Sequence, residues 1–91
     1  MEEIIVTIIG SSFPAMSASK FYDEEDDVEY IEIKGSGISQ ELFKNINQGT
    51  SLELYSQHKS MGFYTLITSN ENMVLLAKGD IPKLLQKHRK F

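Results

Sequence analysis

Five consecutive acids, Asp23-Glu24-Glu25-Asp26-Asp27, are the densest chemistry in this 91-residue chain. Adjacent carboxylates repel one another and resist burial, so residues 15–27 are expected to form an acidic, mobile loop. The run lacks the alternating oxygen ligands, the glycine and the closing bidentate glutamate of a calcium loop. What remains is electrostatics: with Glu29 and Glu32, it can mimic phosphate for a basic groove on a partner. Residues 1–33 hold nine acids and one base, a net of −8. Residues 34–91 hold four acids and eight bases, a net of +4, so the whole chain carries −4. That balance opposes non-specific nucleic-acid binding, where a basic face supplies most of the affinity, although the last turns of the chain are locally basic.

Catalytic chemistry has no foothold. There is no cysteine, which excludes disulfides and thiolate nucleophiles. His58 and His88 lie far apart in sequence, with no acid at ligand spacing, so no metal site is expected. Ser11, Ser12, Ser36 and Ser39 sit in no nucleophile elbow and beside no plausible base. Gly35-Ser36-Gly37 reads as a turn without the strand and helix that a phosphate cradle needs. No enzyme activity and no cofactor are expected. The remaining chemistry is aromatic and basic: Phe13, Tyr55 and Tyr64 can stack on bases or on a partner, and Arg89 and Lys90 can contact phosphate or complement a helix dipole.

These residues need elements to hold them. Residues 50–58, 62–69 and 72–78 read as three consecutive strands, with turns at Lys59-Ser60-Met61-Gly62 and Asn70-Glu71-Asn72. Leu52 and Leu54 alternate with polar neighbours, while residues 73–77 are continuously apolar and expected to be covered on both faces. Residues 3–9 form a first strand, apolar on both faces and central in a sheet or barrel. Val28–Lys34 resumes as a strand with Ile31 and Ile33 inward and a wet face of Tyr30, Glu32 and Lys34. Ser39 caps a short helix that ends at Asn47-Gln48-Gly49, and Asp80-Ile81-Pro82 opens a second one. The expected fold is a single α+β domain, mainly β. Its form is a small, partly open antiparallel barrel or bent sheet with two short helices, ordered β-β-α-β-β-β-α.

The pattern resembles a HIRAN domain, a small β-barrel with two helices found in DNA-processing proteins and as a stand-alone unit in bacteria and phages. Four features carry the likeness. The first strand runs into Gly10-Ser11-Ser12-Phe13, and a short apolar helix leads into Gly49-Thr50-Ser51-Leu52-Glu53-Leu54. Two strands then follow, and Asp80-Ile81-Pro82 opens a Leu-rich segment directly after the last. The resemblance implies a barrel and, through its aromatic loop, binding of single-stranded or free-end DNA. Where the family carries an Asn-Pro-x-Asp stretch, this chain has Ser56-Gln57-His58-Lys59-Ser60.

The function expected first is a non-catalytic binding or regulatory module that engages a protein partner through Asp23, Glu24, Glu25, Asp26 and Asp27. A HIRAN-like alternative binds nucleic acid through Phe13, Tyr55, His58, Lys59, Arg89 and Lys90. A third reading is self-association through an exposed edge at Val28–Lys34. The apolar run of residues 4–9 is too short for a membrane span and follows Glu2 and Glu3, so a cytoplasmic protein is expected.

Overall fold

The computed structural model describes residues 1–10, 15–25, 27–34, 46–69 and 73–78. They form six strands: β1 (Glu2–Ile8), β2 (Met16–Asp23), β3 (Val28–Lys34), β4 (Ser51–Ser56), β5 (Lys59–Ser69) and β6 (Met73–Lys78). All pairings are antiparallel, and the ring closes in the order β1-β2-β3-β6-β5-β4. Two three-stranded meanders, β1–β3 and β4–β6, therefore meet along two seams, β3 on β6 and β1 on β4. Exchanging each strand with the one three places later leaves the ring order unchanged. The radius of gyration is 12.3 Å, against about 12 Å for a compact chain of this length.

Period-2 alternation builds the interior. Val6 and Ile8 of β1, Met16 and Ala18 of β2, and Ile31 and Ile33 of β3 point inward. They meet Leu54, Tyr64, Leu66, Val74 and Leu76 from the second meander. A second buried cluster lies on the other face of the strands, where Val28 and Tyr30 of β3 join Ile67, Leu75 and Ala77. Tyr30 stacks on Phe21 with ring centroids 5.3 Å apart. Ile67 faces this cluster by alternation from inward Leu66, and β5 bulges just there: Leu66 pairs with Leu76 but Thr68 pairs with Leu75, so two residues oppose one.

The expected α+β fold is corrected to an all-β, closed barrel. Among the described residues there is no helix, and β1 pairs with β4 to complete the ring. Most of both expected helices, residues 39–45 and 80–91, falls outside the described residues. The described end of the first is turn and irregular chain, with the Thr50 amide donating to the Asn47 carbonyl at 3.1 Å. A sixth strand, β2, runs through what reads in the sequence as loop. Its serines and alanine have weak strand propensity, and β1 and β3 impose the extended form by pairing on both sides. The wet face expected of β3 instead carries the buried Val28 and Tyr30. Both edges of β3 are paired, with β2 and with β6, so the edge expected to mediate self-association is already occupied.

Candidate binding surface

The acidic run sits on the β2–β3 reversal. Asp23 pairs with Val28, which leaves residues 24–27 as the loop. The Asp23 Oδ1 accepts from the Glu25 amide at 3.0 Å, an Asx turn in which the side chain mimics a backbone acceptor. Asp27 takes the left-handed conformation at φ 54°, which a short polar side chain tolerates. The Tyr22 hydroxyl donates to Asp27 Oδ1, and this bond, followed by slight desolvation and the nearby acids, raises its pKa above the usual tyrosine value. Asp23, Glu24, Glu25 and Asp27 are thus gathered on a tight, hydrogen-bonded tip. Asp26 lies outside the described residues.

Three of the six residues expected to touch nucleic acid come together at the β4–β5 hairpin: Tyr55, His58 and Lys59. Phe13, Arg89 and Lys90 lie outside the described residues. The turn is at Gln57-His58 rather than at Lys59-Ser60-Met61-Gly62. Both turn residues have positive φ, 51° and 66°, the geometry whose twist matches the flanking strands of a two-residue hairpin. Ser56 pairs with Lys59 and Tyr55 with Ser60, and the register skips at Met61 before Leu54 pairs with Gly62. Gly62 has φ +90°, a conformation L side chains rarely adopt, so glycine is required at the bulge.

Beside this hairpin the barrel wall is open and apolar. Ile5 is 55% exposed, Tyr55 38% and Phe63 62%, and Ile9 is exposed as well. Thr7 faces Tyr55 across β1 and β4, and Glu53 faces Phe63 across β4 and β5. Glu53 accepts from the Ser60 hydroxyl at 2.6 Å. A depression of about 440 Å³ opens between residues 3–5 and 7 of β1 and residues 55–58 of the hairpin. The sequence offered no warning that Ile5, Ile9 and Phe63 stay uncovered, because an apolar residue on a strand looks the same whether or not another element lies over it.

At the same end of the barrel, polar side chains close the mouth. Lys20 Nζ lies 3.9 Å from Glu2 and 3.5 Å from Glu29. The Tyr64 hydroxyl donates to Glu29 Oε2, and burial first, then this bond and the Glu29 charge, push its pKa well above the usual tyrosine value. Lys78 Nζ stands 5.4 Å from the Tyr64 ring centroid and donates to the Met61 carbonyl at 2.9 Å. Every group in this plug has a partner within it. Among the described residues, no cluster of three or more His, Asp or Glu side chains is placed to hold a metal. No helix of the described residues is long and apolar enough to cross a membrane.

No family model, curated protein or solved structure matches the chain. The HIRAN likeness therefore rests on the sequence pattern alone.

Proposed function

We propose that this barrel is a non-catalytic, cytoplasmic binding module that presents the acidic β2–β3 tip to a basic surface on a partner protein. The observation that carries this reading is the tip itself: four described acids share one short turn, and hydrogen bonds from the Glu25 amide and the Tyr22 hydroxyl hold the Asp23 and Asp27 carboxylates in place. Fixing charges in advance lowers the ordering cost of binding and steers a basic partner toward them. The test is capture from host lysate with the intact chain and with a variant carrying Asp23→Asn, Glu24→Gln, Glu25→Gln and Asp27→Asn. The expected result is a partner retained by the wild type at low salt and lost by the variant. Partners captured equally by both would overturn the reading.

A second reading is supported by the gathering of Tyr55, His58 and Lys59 at one hairpin with Phe63 exposed nearby, a small platform on which bases could stack. Glu3 and Glu53 on the same wall repel phosphate and rank it second. Fluorescence anisotropy against single-stranded, duplex and forked DNA separates the two. Salt-sensitive binding that Lys59→Ala weakens would favour DNA, and no binding at low salt would remove it.

A further inference from the structure

The ring is closed, yet one seam is closed only part of the way. β1 and β4 are in register at Thr7↔Tyr55 and Ile8↔Leu54, and the Ile9 amide then donates to the Glu53 carbonyl at 3.0 Å. Backbone groups alternate in direction along a strand, so residues 5, 7 and 9 point toward β4 while residues 4, 6 and 8 point toward β2. The next partner for β1 would be Gln57 opposite Ile5. Gln57 and His58 instead turn away with positive φ, and the Ser56 hydroxyl donates to the Ile5 carbonyl at 2.7 Å. The Ile5 amide and both backbone groups of Glu3 therefore face the 440 Å³ depression without a strand opposite them among the described residues. Among the described residues, this is an unpaired stretch of sheet edge within a closed ring.

We infer that this gap is a strand-addition site: an extended segment of a partner protein, with apolar residues alternating with Lys or Arg, pairs with β1 at Glu3 and Ile5. Backbone hydrogen bonds supply the register, and the exposed Ile5 and Tyr55 side chains receive the apolar residues. Charge selects the occupant. Glu3 lines the gap, its carboxylate accepting from the Ser19 hydroxyl at 2.8 Å, and Asp23, Glu24, Glu25 and Asp27 of the tip stand at the same barrel end. A second copy of this −4 chain would set acids against acids, and a nucleic-acid backbone would meet the same repulsion. The inference rests on the protein-binding reading and names the form of the partner.

The experiment uses the intact, isotope-labelled chain titrated with a synthetic peptide of alternating Val and Lys, with a Val–Glu alternation as control. Amide hydrogen exchange and affinity are both read. Expected are new protection at the Glu3 and Ile5 amides and binding of the Val–Glu control at least about tenfold weaker. Ile5→Pro removes the donor at an edge position where proline fits a strand, and should weaken the Val–Lys peptide about tenfold. Ile5→Ala keeps the amide and should lose less. Absent binding, binding without protection of Glu3 and Ile5, or unchanged binding by folded Ile5→Pro would each overturn the site. If Ile5→Pro fails to fold, the protection measured in the wild type decides. The acid-neutralised variant separates the two readings. Lysate capture lost on neutralisation, with peptide binding indifferent to Ile5→Pro, leaves the tip and removes the edge. Capture indifferent to neutralisation, with the Glu3 and Ile5 amides still protected by peptide, does the reverse.

Discussion

On opposite arcs of the ring, β3–β6 and β1–β4 perform the same topological task of joining one meander to the other, and they do it differently. β3 and β6 stay in register over six positions, from Glu29↔Lys78 to Lys34↔Met73, and their outer face is buried around Val28, Tyr30, Leu75 and Ala77. β1 and β4 hold register at two positions, and their outer face leaves Ile5, Ile9 and Tyr55 in solvent. Composition separates them in part: Thr7 and Glu53 interrupt the apolar residues of the β1–β4 face, whereas Val28, Tyr30, Met73, Leu75 and Ala77 make the β3–β6 face mostly apolar. Ladder length and cover separate them further, and the short ladder traces to where β4 turns. The Gln57-His58 reversal ends β4 before it can match β1 along its full length. Among the described residues, one seam is thus long and covered, and the other is short and leaves apolar surface exposed.

The strongest challenge to that contrast is Ile67→Ala. Ile67 is fully buried in the outer cluster, and its truncation should cost about 2–4 kcal/mol in urea unfolding. A cost no larger than that of a change on the open wall would erase the distinction. Next comes Tyr64→Phe at the mouth between the seams, expected to cost about 1 kcal/mol by removing the donor to half-buried Glu29. Its pH signature has a fixed sign. Because the folded-state pKa of Tyr64 is raised, its contribution is whole below about pH 10, the unfolded tyrosine value, and fades as pH climbs above it. Wild-type Tm should fall in that alkaline range more steeply than that of Tyr64→Phe, and parallel curves would contradict the assignment.

A smaller effect has the opposite direction. Combining Gln57→Asn with His58→Gly supplies the residues that two positive φ angles favour, and should add about 0.5–1 kcal/mol without lengthening β4. Destabilisation would mean that the turn is not the one described. The smallest change is expected from Phe63→Ser on the open wall, within about 0.5 kcal/mol in the same urea assay. A larger loss would show that the wall is covered after all.

Much of the strand framework was legible, because alternation marks β3 and β4, apolar and β-branched runs mark β1 and β5, and the unbroken apolar run of β6 announced burial on both faces, although the outer face of β1 leaves Ile5 and Ile9 exposed. β2 was not. Met16-Ser17-Ala18-Ser19 carries little strand preference of its own, and the pairing that makes it extended is tertiary. The β4–β5 turn was also illegible, since Gln57-His58 is not one of the Asn-Gly or Asp-Gly pairs that mark a two-residue reversal. The wet face expected of β3 failed for a related reason: Tyr30 reads as a surface residue until Phe21 and the outer cluster are laid against it. Of the candidate site, the acid run could be seen at once. The open wall could not, because exposure of Ile5 and Phe63 depends on what does not pack there.

The exchange-symmetric ring also orders events in time. The β2–β3 and β4–β5 pairings are hairpins with short loops, whereas both seams join residues far apart in sequence and carry the larger loop-closure entropy. The meanders can therefore form early, while neither buries its inner face until the seams meet. Of the two, β3–β6 repays its closure with a long ladder and a second cluster, and β1–β4 repays it with little. The short seam is then the latch of the barrel, last to fasten and first to slip. In hydrogen exchange, the Thr7 and Ile9 amides should open at lower free energy than those shared by β3 and β6.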